Sequence, residues 1–331
     1  MTAVLFTCAG QRVDIVTEFG RAGAFTVAAD VNPLAPALYH AHVKAIVPRF
    51  HDADYVPALA ELAREHDVRL IVPLTDLDHA VLAARRDELD ALVLLPELDV
   101  VEAAGDKYLT HGRLEELGLP SPPTWLPEEL PDDVPFPVLV KPRRGFGSRN
   151  IHVAHDRREL DFFLGYTPAA SVVQRRCAGV EFSIDVFCDL ESRCLNAIPR
   201  TMIESKGGES IKGMTIKDWE LIEHGRTVAE RLRLVGPANI QCFREPDGTL
   251  PVTDVNPRFG GGFPLPRAAG GRYPELALAL ADGEQPEPCL GRFREGIFMT
   301  RFFSQLTLTE DGDGTLQPFT EELPEPVVQE T

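Results

Sequence analysis

Short apolar runs alternate with stretches of helical spacing over the first hundred residues. AVLFT (3–7), FTVAAD (25–30), AIVP (45–48), RLIVPL (69–74) and LVLLP (92–96) read as strands. Between them, Gln11 to Gly23 has helical periodicity, and Tyr55 to His66 places Val56, Leu59, Leu62 and Ala63 on one helix face. Strands that alternate with helices at this spacing predict an open parallel sheet covered on both faces.

The texture then changes. A helix is expected from Asp106 to Leu117, stopped by Gly118 with Pro120, Pro122 and Pro123 just beyond. A Pro- and acid-rich connector follows from Leu126 to Pro137. Longer strands come next: FPVLVK (136–141), ASVVQR (170–175), VEFSIDVFCD (180–189), ANIQCF (238–243) and LPVTDVNP (250–257). Helices are expected near Arg157–Leu164 and Lys217–Leu232, and the chain is irregular after about Leu308. The fold class is thus α/β plus α+β. Four segments follow: 1–104 as a doubly wound parallel domain, 105–178 as a linker helix and small lid, 179–308 as a mixed-sheet unit, and 309–331 as an acidic irregular tail.

Charge narrows the chemistry. The 331 residues carry 33 basic and 51 acidic side chains, a formal net charge of −18. Such a chain repels phosphate backbones and anionic lipid, so neither nucleic acid nor a membrane is an expected partner. No run of 18 apolar residues is present, and MTAVLFTCAG reads as a first strand, not a signal peptide. Six scattered cysteines without a C-x-x-C pair suit a reducing cytoplasm. A polyanion would need a local basic island.

One such island exists. KPRRGFGSRN (141–150) holds Lys141, Arg143, Arg144 and Arg149 with Gly145, Gly147 and Ser148 among them and no acid. A strand ending in Lys before a Gly-rich turn lets backbone N–H groups approach an anion that cations neutralise. It is not the Walker-type loop, whose Lys follows the glycines. Taken alone, the segment also fits a hairpin with solvated arginines. A second feature is VTDVNPRFGGG (252–262), where Asp254 and Asn256, two apart on a strand, share a face and offer oxygen to a hard cation. Arg258 follows the strand-ending Pro257. The turn Pro246-Asp247-Gly248 would bring Gln241 alongside from the neighbouring strand. A polar strand edge with a glycine turn is the alternative.

In this order the segments resemble the ATP-grasp superfamily, and within it the carbamoyl-phosphate-synthase-like proteins, over residues 1 to about 305. The resemblance implies an ATP-grasp fold with a pre-grasp domain, a lid subdomain and a C-terminal subdomain. It implies that Lys107 and Lys141 contact nucleotide phosphates, and that Gly145, Gly147 and Ser148 form a flap over them. Gln174 and the backbone of Arg176 and Cys177 would hold adenine, and Glu181 the ribose. Gln241, Asp254 and Asn256 would hold Mg²⁺, or Mn²⁺ in its place, and Arg258 would stabilise the transferred phosphoryl group. Lys141 and Asp254 are both expected to face solvent in the cleft. Two positions depart from the pattern: Gln174 where an acid is common, and Asp254 where a longer Glu is common.

The reaction so implied is ATP-dependent ligation of a small carboxylic acid, such as an amino acid or peptide, to an amine or thiol through an acylphosphate, giving ADP and phosphate. Arg200, Arg267, Arg272 and Arg301 are candidate carboxylate clamps. A homodimer through the first domain is a further implication. Three other readings compete. One is a carbamoyl-phosphate-synthase-like component, and another a non-catalytic nucleotide-binding protein. The third is an NAD-dependent oxidoreductase, suggested by Asp30 lying 20 residues after Gly10.

Overall fold

A computed structural model describes residues 1–145, 150–167, 169–206 and 209–319. Five strands open the chain: β1 (Ala3–Thr7), β2 (Phe25–Asp30), β3 (Val43–Ile46), β4 (Val68–Pro73) and β5 (Leu92–Val93). All pair in parallel, in the order β3-β2-β1-β4-β5. Helices α1 (Val13–Arg21), α2 (Tyr55–Glu65), α3 (His79–Ala84) and α4 (Leu98–Ala104) alternate with them. Successive side chains of a strand face opposite ways, and both ways are apolar here. Val4 and Phe6 pack with Ile15, Val16 and Phe19 of α1, whereas Ala3 and Leu5 pack with Tyr55, Val56 and Leu59 of α2. That double burial is why these strands read as continuous apolar runs.

Next come α5 (Lys107–Glu116), β6 (Thr124–Trp125), β7 (Val138–Pro142), β8 (His152–Ala154), α6 (Arg157–Tyr166) and β9 (Ser171–Arg175). Their four strands form an antiparallel sheet in the order β6-β9-β7-β8 over a small core of Val138, Val140, Leu160 and Val173. Asp106 starts α5 by accepting from the amides of Tyr108 and Leu109.

The last unit contains β10 (Val180–Cys188), β11 (Cys194–Thr201), β12 (Glu204–Lys206), β13 (Glu209–Met214), α7 (Trp219–Arg231), β14 (Gly236–Arg244), β15 (Val252–Asn256), α8 (Pro264–Ala268), α9 (Tyr273–Ala281) and β16 (Phe298–Thr300). Its main sheet is antiparallel, in the order β11-β10-β14-β15. Strict alternation makes it two-faced. Phe182, Ile184 and Val186 of β10 and Ala238, Ile240 and Cys242 of β14 enter a core shared with α7 and with the α1 side of the parallel sheet. Glu181, Ser183 and Asp185, with Asn239, Gln241 and Phe243, occupy the opposite face.

Two expectations are corrected. The segment after Leu308 is not wholly irregular: β17 (Leu308–Glu310) and β18 (Leu316–Pro318) pair as a hairpin, and Lys44 donates to the Leu316 carbonyl. The third strand begins at Val43, earlier than the pattern suggested. As the sheet's edge, β3 is only half covered, so its polar positions carry little signal.

Candidate functional site

The polar face of the β10–β14 sheet and the inner face of the lid sheet enclose a cavity of about 670 Å³. Strand register sets its floor. Arg200 of β11 lies opposite Ser183 of β10, Ser183 opposite Gln241 of β14, and Gln241 opposite Asp254 of β15. These four residues form one row across the sheet. Glu181 and Phe243 form the neighbouring row, about 6.6 Å nearer the hinge. Beyond Gln241↔Asp254 the register shifts, so that Cys242 pairs with Val252. The extra residue lets both Val252 and Val255 reach the core while Asp254 and Asn256 line the cavity.

Lys141 projects from β7 and is not solvent-facing: it is 5% exposed, and its Nζ donates to Gln174 Oε1 at 2.8 Å. Gln174 Nε2 in turn donates to Thr124 Oγ1 at 2.8 Å, which fixes which end of the amide meets the lysine. Burial is the main cause that lowers the Lys141 pKa from 10.5 to about 8; Asp254 opposes this and Lys107 adds to it. A carboxylate at position 174 would have supplied an opposing charge; the neutral amide does not.

The basic island is largely spent on structure. Arg143 Nε reaches Asp106 at 2.8 Å and Arg144 Nε at 3.3 Å, and Asp106 is wholly buried. Lys107 donates its amide to Arg143 O (3.0 Å) and its Nζ to Gly145 O (2.9 Å). The N-terminus of α5 therefore clasps the entry of the glycine loop. Gly147, Ser148 and Arg149 lie outside the described residues.

At the hinge, Arg175 forms a two-pronged pair with Glu245, both contacts at 2.8 Å, and the Ala178 amide also donates to Glu245 at 3.0 Å. Glu245 was not singled out by sequence; its place in the turn EPDG gives no hint of this partner. The Arg176 amide is committed to Pro137 O at 3.2 Å. Gly179 has φ +105, and a Cβ there would sit 2.1 Å from Arg244 O, so this crossing admits only glycine. Arg176, Cys177 and Glu181 all line the cavity. Burial pushes the Cys177 thiol up to about 11 and raises the Glu181 carboxyl, with Arg200 opposing and Asp254 adding to the latter.

Asn256 Nδ2 donates to Asp254 Oδ2 at 3.1 Å, and Asn256 Oδ1 accepts from Arg258 at 3.1 Å. Among the described residues no group of three or more His, Cys, Asp or Glu is placed to hold a metal. Gln241, Asp254 and Asn256 instead offer three hard oxygens bearing one formal charge. That donor set suits a cation whose remaining ligands are waters and phosphates.

Of the four arginines considered as carboxylate clamps, only Arg200 lines the cavity. It is 2% exposed and donates through Nε to Asp185 Oδ2 at 2.7 Å. Arg267 is held by Glu18 and Glu275 at 2.7 and 2.9 Å, joining α8 to α1 and α9. Arg272 is exposed ahead of α9, and the Arg301 amide donates to Ile211 O at 3.0 Å. Those three do not border the cavity; each was chosen for residue type alone, which says nothing of direction. Asp30 is likewise not free for a ribose, since its two oxygens accept the amides of Gly10 and Asn32, both at 2.8 Å.

Comparison with known proteins agrees with this geometry. Residues 4–94 match the family described as PylC-like, N-terminal domain, and residues 168–301 match ATP-grasp in the biosynthetic pathway with Ter operon. The carbamoyl phosphate synthase large chain of Agathobacter rectalis is 28% identical over 214 residues, covering 58% of this chain and 20% of that one. That of Gemmatimonas aurantiaca is 30% identical over 211 residues, covering 56% and 19%. The chain thus spans about a fifth of the length of these relatives. Among solved structures, L-amino acid ligase from Bacillus licheniformis superposes with a TM-score of 0.69 at 18% identity, over 89% of this chain and 78% of that chain. N5-carboxyaminoimidazole ribonucleotide synthetase from Thermotoga maritima gives 0.67 at 18% identity, over 88% and 78%. Two family matches in chain order, on a parallel unit followed by a lid and an antiparallel floor, together with these superpositions, lead to one conclusion: the chain has the ATP-grasp fold, and its residues 168–301 match an ATP-grasp family.

Proposed function

We propose that this chain is an ATP-dependent ligase that activates a small carboxylic acid as its acylphosphate and passes the acyl group to an amine. The observation that carries the proposal is the row Arg200–Ser183–Gln241–Asp254, with Lys141 facing it across the same cavity. One end of that row offers a carboxylate and amide oxygens, the other a guanidinium. A nucleotide and an acid can therefore meet over one floor.

Adenine lies at the hinge. Gln174, whose amide keeps one lone pair and one N–H beyond its contacts with Lys141 and Thr124, meets the base together with backbone groups of Arg176 and Cys177. Glu181 takes the ribose hydroxyls. Lys107 and Lys141 take the phosphates under the loop that begins at Gly145 and continues through Gly147 and Ser148. Gln241, Asp254 and Asn256 hold Mg²⁺ together with the phosphates; Mg²⁺ there supplies charge neutralisation on the transferring group. Asn256 Oδ1 has a second lone pair for the cation beside the one that accepts from Arg258. Arg258 then faces the γ-phosphoryl group, and Arg200 orients the acid whose carboxylate attacks in line. The rate gain comes from positioning and charge, so no protein nucleophile is required. The raised Cys177 pKa, which keeps that thiol protonated, fits this.

L-amino acid ligase among the structural neighbours makes amino acids the first acids and amines to try. The test combines the purified chain, ATP and Mg²⁺ with an amino-acid panel, reading phosphate release and trapping acylphosphate with hydroxylamine. Acid-dependent ADP and hydroxamate support the proposal. A protein that neither binds Mg-ATP nor releases phosphate with any acid would overturn it.

A further inference from the structure

We propose that Asp76 is a positioning residue for phosphoryl transfer: from the parallel unit, it fixes the Arg258 guanidinium that faces the cavity. The inference rests on the function proposed above. In β3-β2-β1-β4-β5 the chain leaves β1 and β4 toward opposite sides, which opens a crevice at their C-terminal ends; ligands commonly bind there in α/β sheets. In this protein that crevice receives a loop of the protein itself. Arg12, after β1, donates to Phe259 O (3.0 Å) and Gly260 O (3.2 Å), and is itself paired with Asp14 at 3.0 Å. Asp76, after β4, accepts from Arg258 Nε at 2.9 Å through Oδ2.

A guanidinium has five N–H groups. In Arg258, Nε–H goes to Asp76, one Nη1–H to Phe259 O and one Nη2–H to Asn256 Oδ1, which leaves two for a group in the cavity. The Phe259 and Asn256 contacts lie within two residues in sequence, on the loop itself and on the last residue of β15 that leads into it. Asp76 is 182 residues away in sequence, and among the described residues its contact is the one that ties the guanidinium to the parallel unit. Asp76 and Arg258 are both mostly sheltered, at 27% and 18% side-chain exposure. Wholly buried His79 packs behind, with Nδ1 4.0 Å from the other Asp76 oxygen. Removing the carboxylate frees a long side chain to choose other rotamers just where the γ-phosphoryl group needs two aligned donors.

The signature of positioning is selectivity for the third phosphate. Dissociation constants for Mg-ADP and a magnesium-bound non-hydrolysable ATP analogue are measured by calorimetry on wild type, Asp76→Ala, Asp76→Asn and Arg258→Ala. The expected result is about tenfold weaker analogue binding by D76A, with ADP binding within about twofold of wild type. D76N keeps an oxygen acceptor and recovers most of the loss. Asp76→Ser, too short to reach, repeats the test should D76A fail to fold. If R258A loses analogue selectively and D76A or D76S does not, Asp76 is idle and the proposal falls while the ligase reading stands. Equal weakening of both nucleotides with a lowered melting temperature assigns Asp76 a purely structural role and also overturns the proposal. If R258A itself shows no selectivity, both the proposal and the assigned role of Arg258 fail.

Discussion

Lys141 is the group whose charge is most exposed to perturbation. Its hydrogen-bond partner among the described residues is a neutral amide oxygen, and burial, the main cause, lowers its pKa from 10.5 to about 8. A bound polyphosphate favours the ammonium, so nucleotide affinity should follow the protonated fraction of the free site. With a pKa of about 8, that fraction falls from roughly nine-tenths at pH 7 to roughly one-tenth at pH 9. Affinity for Mg-ADP should then drop about tenfold across those two pH units. Calorimetry in buffers of differing ionisation enthalpy would also show uptake of about half a proton at pH 8. Gln174→Glu places a carboxylate beside the same ammonium and should flatten the profile. The stability of the ligand-free protein has the opposite slope. Between pH 8 and 10.5 the unfolded chain holds the proton and the folded chain does not, so stability rises with pH over that window. The penalty, present in full below pH 8, is on the order of 3 kcal/mol. Lys141→Met should abolish that rise. Unchanged Mg-ADP affinity from pH 7 to 9 in wild type, with Q174E indistinguishable from it, would refute the reasoning.

Asp254→Asn removes the one formal negative charge from the oxygen set. It should reduce the Mg²⁺-dependent part of ATP binding at least about tenfold while strengthening metal-free binding, because the same charge repels bare phosphates, as calorimetry with and without Mg²⁺ would show. Gly262→Ala puts a Cβ 2.5 Å from Arg200 Cζ, against a guanidinium held by Asp185. Overpacking of this kind costs roughly 1–3 kcal/mol; an unshifted urea midpoint would show that the loop gives way freely. Asp106→Ala removes both the α5 cap and the partner of Arg143. Destabilisation of about 2–4 kcal/mol in urea unfolding is expected, and a loss under about 1 kcal/mol would mean the clasp is solvated.

The parallel sheet and the alternating strands of the floor were legible because their two-residue and helical periods are direct consequences of burial. Strand β11 was missed: CLNAIPRT carries a proline and an arginine in its second half, and the arginine is buried with Asp185 as its partner across the strand pair. The cavity residues Lys141, Gln241, Asp254 and Asn256 were found because the chemistry demands particular residue types at fixed spacing on strands. The arginines were not separable on that basis. Arg143, Arg200, Arg258 and Arg267 each meet an acid distant in sequence, 37, 15, 182 and 249 residues away, and only the fold shows which pairs form.

That distinction bears on how an acidic protein can present a site for polyanions. Counting basic residues in the glycine loop overstates its positive charge, because Asp106 absorbs Arg143 and Arg144. Arg200 and Arg258 are likewise paired, with Asp185 and Asp76. Among the described residues of the cavity lining, the cations without an acidic partner are Lys107, Arg176 and Lys141, beside Asp254 and Glu181. A triphosphate entering alone would meet little net attraction and two carboxylates. On the function proposed above, divalent metal would then be a condition for productive binding, because it would reverse the sign of the Asp254 contribution. On the function proposed above, such a site would discriminate metal-bound nucleotide from free nucleotide, and the pairing of Arg143, Arg144, Arg200 and Arg258 with acids is what would make that possible.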